Sequence, residues 1–172
     1  MKILDVLDVD SVNYKKLCMT IMFPYCSFKC NKDAGTIVCQ NYQSKGSELI
    51  DVEINELIKM YVENPLTEAI VMQGFEPFDS YNDLYALIYE FTRVSKDDIV
   101  IYTGYNKSEI QSEVLALCDL IECNNLIIKF GRYVPNDISV FDETLGVTLS
   151  SSNQYAEVVN SRKGKFRCIQ VQ

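Results

Sequence analysis

The sequence predicts an α/β fold with a mainly parallel sheet, and two observations support this class. Short apolar runs of strand length recur along the chain, and each leads into a glycine-containing turn and a stretch with helical periodicity. The chain also has 172 residues, of which 48% are hydrophobic, which suits one domain with a buried core. A complete eight-fold barrel needs about 250 residues. We therefore expect a partial, incomplete barrel or an open sheet of about five strands.

The first unit of strand and helix lies in the N-terminal third of the chain. Residues 19–23 predict a strand that runs into a cysteine-containing loop. The helix that follows is expected to end at Pro65, because proline cannot continue a helix. Its apolar face is formed by Ile54, Leu57, Ile58, Tyr61 and Val62.

The second unit begins with a predicted strand at residues 69–72, which leads into the turn Q-G-F-E-P at residues 73–77. Ser80 is the expected N-cap of the next helix, with Asp83 three residues further on. The apolar face of this helix is formed by Leu84, Leu87, Ile88 and Phe91.

The third unit repeats the pattern with a strand at residues 99–102 and the turn T-G-Y at residues 103–105. Asn106 and Glu109 have the spacing of a helix start. The helix carries the apolar residues Ile110, Val114 and Leu117.

A fourth strand is predicted at residues 126–128, and the pattern weakens after Tyr133. Residues 146–149 predict a further strand, and residues 166–171 a final edge strand. We interpret residues 1–172 as a single domain in which residues 150–172 form a polar loop and a C-terminal edge segment.

Alternation of apolar strands and helices predicts parallel units with right-handed crossovers. The turns that follow the strands then lie at the carboxyl ends of the strands, where α/β sheets and barrels bind their ligands. We therefore expect the cysteine loop and the glycine turns to share one rim.

Composition argues against several classes of function. The net charge of −8 would repel a phosphate backbone, so we expect no nucleic-acid partner. No apolar run approaches the roughly 20 residues of a membrane span, so we expect no membrane partner. The first residues lack the apolar stretch of a signal peptide, which favours a cytoplasmic protein. The absence of histidine excludes catalysis and metal binding by imidazole.

Cys26, Cys30 and Cys39 lie on one short segment and are the candidate metal ligands. A structural zinc ion takes four protein ligands. That alternative therefore requires an aspartate or another cysteine as the fourth ligand. The other cysteines, which we expect to be buried thiols, are Cys18, Cys118, Cys123 and Cys168.

Five motifs occur in order between residues 19 and 154. The cysteine segment has the spacing C-x3-C, then eight residues before the third cysteine, which is followed two residues later by Asn41. The turns Q-G-F-E-P and Y-T-G-Y follow at residues 73–77 and 102–105, and F-G-R-Y and S-S-N-Q at residues 130–133 and 151–154. Together these motifs resemble the radical SAM enzymes, and within them the small activating proteins of anaerobic ribonucleotide reductase.

The chain departs from this resemblance in three places. The family spacing is C-x3-C-x2-C, so eight residues in place of two mean six extra residues before Cys39. Phe75 replaces one glycine of the family motif G-G-E-P. The family stretch G-P-G-x-R is also missing, and the residues N-Y-K-K stand there at positions 13–16.

The resemblance implies a radical SAM partial barrel and a 4Fe–4S cluster held by Cys26, Cys30 and Cys39. In the family, the iron without a cysteine ligand chelates S-adenosylmethionine. Reductive cleavage of its C–S bond then gives methionine and a 5′-deoxyadenosyl radical. The residues implied in binding S-adenosylmethionine are Asn41, Gln73, Gly74, Phe75, Glu76, Tyr102, Thr103, Gly104 and Asn153.

The resemblance also implies the partners. The activating proteins generate a glycyl radical on the large chain of an anaerobic (class III) ribonucleotide reductase, and a low-potential donor such as flavodoxin or ferredoxin supplies the electron. Two alternatives stay open at this point. One is a radical SAM enzyme that acts on a peptide or a small molecule, and the other is a non-enzymatic iron–sulfur or zinc protein.

Overall fold

A computed structural model describes residues 1–121 and 125–159, together with the backbone of residues 161–162 and 165–166. Its strands are β1 (Lys2–Ile3), β2 (Asp5–Asp10), β3 (Cys18–Phe23), β4 (Ile50–Asp51), β5 (Ala69–Gly74), β6 (Asp98–Tyr102), β7 (Leu126–Phe130), β8 (Val140–Asp142), β9 (Val147–Leu149), β10 (Tyr155–Val159), β11 (Ser161–Arg162) and β12 (Lys165–Phe166). Its helices are α1 (Lys29–Ala34), α2 (Ile54–Glu63), α3 (Tyr81–Val94) and α4 (Gln111–Leu120).

The central sheet has the strand order β10-β7-β6-β5-β3-β2. The inner strands β3, β5, β6 and β7 are parallel, and neighbours in the sheet follow one another in chain order, as β3–β5, β5–β6 and β6–β7. The outer strands β2 and β10 pair antiparallel with β3 and β7. The predicted α/β class with a mainly parallel sheet is therefore confirmed. The described sheet is open, so the radical SAM type of partial barrel stays a prediction.

Helices α2, α3 and α4 cover one face of this sheet. Side chains alternate along a strand, so Ile70 and Met72 of β5 pack in the helix-covered core, while Ala69 and Val71 pack on the second face. The helices contribute most of the apolar stripes that the sequence predicts, for example Leu84, Leu87, Ile88 and Phe91 of α3, all buried. Val62, expected on the apolar face of α2, is instead 60% exposed.

The second face carries a smaller apolar layer. Tyr14, Leu145 and Leu149 are buried against the strand residues Cys18, Ala69, Val71, Val100 and Ile127. The Tyr14 hydroxyl donates to Asp98 Oδ2 at 2.9 Å and so fixes this layer at the amino end of β6. The carboxyl ends of the parallel strands, at the opposite edge of the sheet, border a cleft.

The four predicted inner strands are confirmed, and each extends by one or two residues. The helix start at Asn106 is confirmed as a reciprocal capping box with Glu109, although a 3₁₀ turn at Lys107–Glu109 precedes α4. Ser80 stands at the predicted position before α3 but does not cap it. Its buried hydroxyl has no hydrogen-bond partner among the described residues, because a 3₁₀ turn at Pro77–Ser80 leads into the helix.

The less regular part of the chain was predicted incompletely. The strand expected at residues 146–149 is β9. The edge strand expected at residues 166–171 lies outside the described residues except for Phe166 in β12. The outer strands β2 and β10 were not predicted. In the described part of the chain, no helix is long and apolar enough to cross a membrane.

Candidate functional site

The loops that follow the four parallel strands meet at one cleft of about 490 Å³. This confirms the expectation that they share a rim. All but one of the predicted site residues line the cleft, namely Cys26, Cys30, Cys39, Asn41, Gln73, Gly74, Phe75, Glu76, Tyr102, Thr103 and Gly104. Asn153 instead borders a neighbouring groove, and its side-chain amide donates to the Arg132 carbonyl at 2.8 Å.

Cys26 lies in the loop between β3 and α1. Phe28, in the left-handed conformation with φ of 51°, turns the chain into the helix, and its N–H donates to Cys26 Sγ at 3.2 Å. The N–H of Ser27 donates to Asp79. Burial raises the pKa of the Cys26 thiol to about 12. The loop therefore presents a protonated, half-buried thiol to the cleft.

Cys39 returns to the cleft in spite of the longer spacing. Asn31, on α1, accepts the N–H groups of Val38 and Cys39 on its Oδ1 atom, each at 2.9 Å. Burial is the main cause that raises the pKa of the Cys30 thiol, and the neighbouring Cys39 thiol raises it further. The second and third predicted ligands therefore lie next to each other, although eight residues separate them.

The donor set fits a cluster better than a single ion. Within the described ranges, no three or more His, Cys, Asp or Glu side chains converge closely enough to hold one metal ion. A 4Fe–4S cluster binds each thiolate through a different iron, so its ligands do not have to converge on one point. The three cysteines line one cavity and agree with that requirement.

The described cysteines outside this loop do not offer a fourth ligand. Cys18 is fully buried in β3, where its thiol donates to the carbonyl of Asp10 at 3.3 Å. Cys118 is buried in α4. Burial raises the pKa of both thiols to about 11. These two are buried thiols, as predicted, whereas Cys123 and Cys168 lie outside the described residues.

Gly74 closes the turn after β5 and cannot be replaced without strain. Its φ is 97°, and a Cβ atom there would lie 2.9 Å from the backbone nitrogen of Phe23 and 3.0 Å from Cα of Met22. Its carbonyl accepts from Asn41 Nδ2 at 2.6 Å. Asn41 therefore joins the cysteine loop to the end of β5, a contact that accounts for an asparagine two residues after the third cysteine.

Glu76 joins the turn after β5 to the turn after β6. It is 5% exposed, and its carboxylate accepts from Thr103 Oγ1 at 2.7 Å, from the Gly104 N–H at 2.8 Å and from the Phe78 N–H at 3.2 Å. Burial raises the pKa of Glu76 to about 7, and the three hydrogen bonds, which lower the pKa, offset only part of this effect. The carboxylate borders the cleft and also joins the two turns. Its role toward a methionyl ammonium group stays a prediction.

Phe75 packs toward the cysteine loop. Its ring makes an edge contact with Phe28 at a centroid distance of 5.3 Å, and Phe28 makes a similar contact with Tyr42 at 5.2 Å. The ammonium group of Lys45 lies over both Phe28 and Tyr42. The residue that replaces the family glycine therefore adds an aromatic wall to the cleft and supports the loop that carries the cysteines.

Tyr102 and Thr103 stand at the end of β6. The Tyr102 hydroxyl donates to the carbonyl of Asn13 at 2.5 Å, which places the segment that lacks the G-P-G-x-R motif on the wall of the cleft. Burial raises the pKa of Tyr102 well above its usual range. Thr103 is buried, donates to Glu76 and accepts from the Tyr105 N–H at 3.0 Å.

Lys129 is a cleft residue that sequence analysis missed. It is 7% exposed, lines the cleft, and donates from Nζ to the Gly131 carbonyl at 2.8 Å. Burial lowers its pKa to about 8, and the nearby Glu76 partly offsets this effect. Side chains alternate along a strand, so Lys129 of β7 lies on the same face as Ile127, which packs in the second layer. This alternation is the signal that places Lys129 on the cleft side.

Arg132 links the rim to the cysteine helix. Its guanidinium bonds to Glu109 at 2.8 Å and to Asp33 at 3.3 Å, and it lies over the ring of Tyr105. Lys29 adds an ion pair with Glu109 at 3.2 Å. The hydrogen bond from Arg132 is the main cause that lowers the pKa of Glu109 to about 2. The charges of α1 therefore connect to the turns after β6 and β7.

Comparison with known proteins gives one finding. The sequence model of a family described as a 4Fe-4S single cluster domain matches residues 16–156. The matched range contains the three cysteines of the cleft and each of the turns described above. No curated protein and no solved structure matches the chain.

Proposed function

Because the chain belongs to the 4Fe-4S single cluster domain family, which is associated with radical SAM proteins, we propose that it is a radical enzyme dependent on S-adenosylmethionine. One observation carries this proposal: three cysteines and the turns after three further parallel strands line the same cleft. A volume of about 490 Å³ lies in the usual range for small-molecule sites.

Cys26, Cys30 and Cys39 would hold the cluster as thiolates. When bound, the cluster supplies the electron that cleaves S-adenosylmethionine to methionine and a 5′-deoxyadenosyl radical. The thiols of Cys26 and Cys30 have raised pKa values in the cluster-free chain because they are buried. Loading therefore has to release their protons, which predicts that the apparent affinity for the cluster rises with pH.

The remaining residues of the cleft would bind and orient S-adenosylmethionine. The buried ammonium group of Lys129 would attract the carboxylate of the methionyl group. Glu76 holds the turns after β5 and β6 in register, and Gly74 lets the backbone approach the ligand closely. Tyr102 and Thr103 would contact the nucleoside part of S-adenosylmethionine.

The partner is proposed to be a glycyl-radical polypeptide, the large chain of an anaerobic ribonucleotide reductase. Helices α2, α3 and α4 pack on one face of the sheet, whereas the cleft lies at the carboxyl ends of the parallel strands and is not covered by these helices. This arrangement supports entry of a loop from another protein. The 5′-deoxyadenosyl radical would take a hydrogen atom from a glycine Cα, which gives 5′-deoxyadenosine and a glycyl radical. A low-potential flavodoxin or ferredoxin would supply the electron.

The first experiment is anaerobic reconstitution of the full chain with iron and sulfide, followed by reduction in the presence of S-adenosylmethionine. We expect 5′-deoxyadenosine from the wild type, and none when Cys26, Cys30 or Cys39 is replaced by serine. Cys18→Ser is the matched control because Cys18 is buried away from the cleft. A stable cluster that never yields 5′-deoxyadenosine would contradict the proposed activity.

The partner is tested separately. The reconstituted chain is mixed with the glycyl-radical subunit of an anaerobic ribonucleotide reductase, reductant and S-adenosylmethionine, and the glycyl radical is sought by electron paramagnetic resonance. A radical signal that requires all components supports the activase role. Formation of 5′-deoxyadenosine without a glycyl radical would instead favour a peptide or small-molecule substrate.

A further inference from the structure

The eight residues between Cys30 and Cys39 remove the short covalent tether that a C-x2-C spacing provides. Helix α1 ends at Ala34, and the following residue, Gly35, has a φ of 66° that turns the chain out of the helix. The chain then has to come back before Cys39 can reach the cleft. Non-covalent contacts must therefore bring the third cysteine to the second.

Apolar packing does not provide these contacts. Helix α1 has no buried residue, and residues 32–37 are all exposed. Ile37, the large apolar residue of the segment, is 63% exposed. With so little apolar area removed from water, the hydrophobic effect contributes little to holding the segment. Between the two cysteines, the position of the segment therefore depends on polar contacts, whereas Asn41 and Tyr42 hold the chain beyond Cys39.

Asn31 provides these contacts from the residue next to Cys30. Its Oδ1 atom accepts the N–H groups of Val38 and Cys39 at 2.9 Å each, and the Cys30 thiol approaches the same oxygen at 3.8 Å. A carbonyl oxygen has two lone pairs, so it can accept both N–H groups of the returning backbone. One side chain thus joins the segments that carry two of the cysteines.

We propose that Asn31 is a positioning residue that sets where Cys39 meets the cluster. Its two hydrogen bonds replace the tether that the six extra residues remove. This rests on the proposed role of Cys39 as a cluster ligand. Asn31 is not among the residues that line the cleft, and it acts through the backbone of Cys39. Loss of such supporting contacts typically costs about 10–100-fold in metal affinity.

The test uses the full chain, reconstituted anaerobically, as wild type, Asn31→Ala, Asn31→Asp and Lys32→Ala. Iron release to a chelator is followed by cluster absorbance, and the reduced cluster is examined by electron paramagnetic resonance. We expect Asn31→Ala to release iron about tenfold faster and to change the resonance spectrum. Asn31→Asp keeps an acceptor for both N–H groups and should restore slow release. Lys32→Ala, an exposed change on the same helix, should behave as wild type.

Two results would overturn the role of Asn31. One is wild-type iron release and spectrum in Asn31→Ala, and the other is release from Asn31→Asp as fast as from Asn31→Ala. Melting curves of the cluster-free variants, together with amide exchange at Val38 and Cys39, separate a local opening from a general loss of folding. A Cys39→Ser chain that keeps a wild-type cluster would leave Asn31 with no ligand to position. Absence of 5′-deoxyadenosine from a wild type with a stable cluster would count against the enzyme activity alone.

Discussion

Gly74 shows how strongly one residue constrains the site. A Cβ atom at this position would meet backbone atoms of Met22 and Phe23, which cannot rotate away, and the residue has φ of 97°. We expect Gly74→Ala to lower the free energy of unfolding by about 3 kcal/mol, from strain and overlap together. Gly46→Ala is the matched control, because Gly46 also has a positive φ but nothing within 4 Å. That change should cost about 1 kcal/mol. Equal losses in urea unfolding of the cluster-free chain would contradict this reasoning.

Glu76 makes the folding stability of the cluster-free chain depend on pH. Its pKa rises from an ordinary 4.5 to about 7 on folding, because it is buried. The folded state therefore holds a proton that the unfolded state releases between these values, so the stability that Glu76 contributes is full below pH 4.5 and is lost as the pH rises to about 7. The lowered pKa of Lys129, about 8 against 10.5, acts in a more alkaline range. Melting temperatures between pH 5 and 7 should fall less steeply in Glu76→Gln than in wild type, and parallel slopes would show that Glu76 does not titrate there.

Sequence patterns predicted the parts of the site that are local in the chain. The three cysteines and the turn around Gly74 stand out because each motif places its functional groups within a few residues. Lys129 was missed although the alternation of β7 places it on the cleft side, and Asn31 was missed because its partners lie seven and eight residues further along the chain. The charge of Lys129 becomes notable only when β7 buries it beside Glu76, and Asn31 only when the chain returns to it.

At the scale of elements, the ionic contacts of Arg132 fasten α1 to the sheet. Arg132 is 13% exposed and Glu109 is 27% exposed, so water screens this pair less than an ordinary surface pair. A double-mutant cycle with Arg132→Met and Glu109→Gln should give a coupling free energy of about 1 kcal/mol. The exposed pair Arg93 and Glu90 on α3 is the control and should give about 0.3 kcal/mol. Equal coupling for the two pairs would mean that Arg132 does not join the turn after β7 to the turn before α4.

The inner strands were predictable and the outer ones were not, for a physical reason. Buried parallel strands read as continuous apolar runs, such as residues 69–72. Strand β2 has the sequence D-V-L-D-V-D, in which half of the residues are aspartates, and aspartate is uncommon in strands. It forms because β3 offers an unpaired edge. Strand β10 likewise depends on its partner β7, so pairing rather than local preference makes both outer strands.

At the scale of the whole molecule, the cleft collects groups from four strands, so its ligand should stabilise the entire fold. S-adenosylmethionine at about 100 times its dissociation constant should add about 2.7 kcal/mol to the stability of the cluster-loaded chain. Lys129→Met should reduce the rise in melting temperature that the ligand causes, because in the proposed complex the methionyl carboxylate would lose its buried ammonium partner. Lys59→Met, a change at a 71% exposed side chain, is the control. An unchanged rise in Lys129→Met would remove Lys129 from ligand binding.

The strand order also bears on how the chain is made. Because each inner strand pairs with the inner strand before it, the sheet can grow as the polypeptide leaves the ribosome. Strand β3 and the cysteines emerge early, whereas Asp79 and Arg132, which hold their loop, follow β5 and β7. During translation the thiols therefore face the cell before the walls of the cleft exist. The ion pair between Arg132 and Asp33, which joins the helix of the second cysteine to this wall, can form only after β7 has been made.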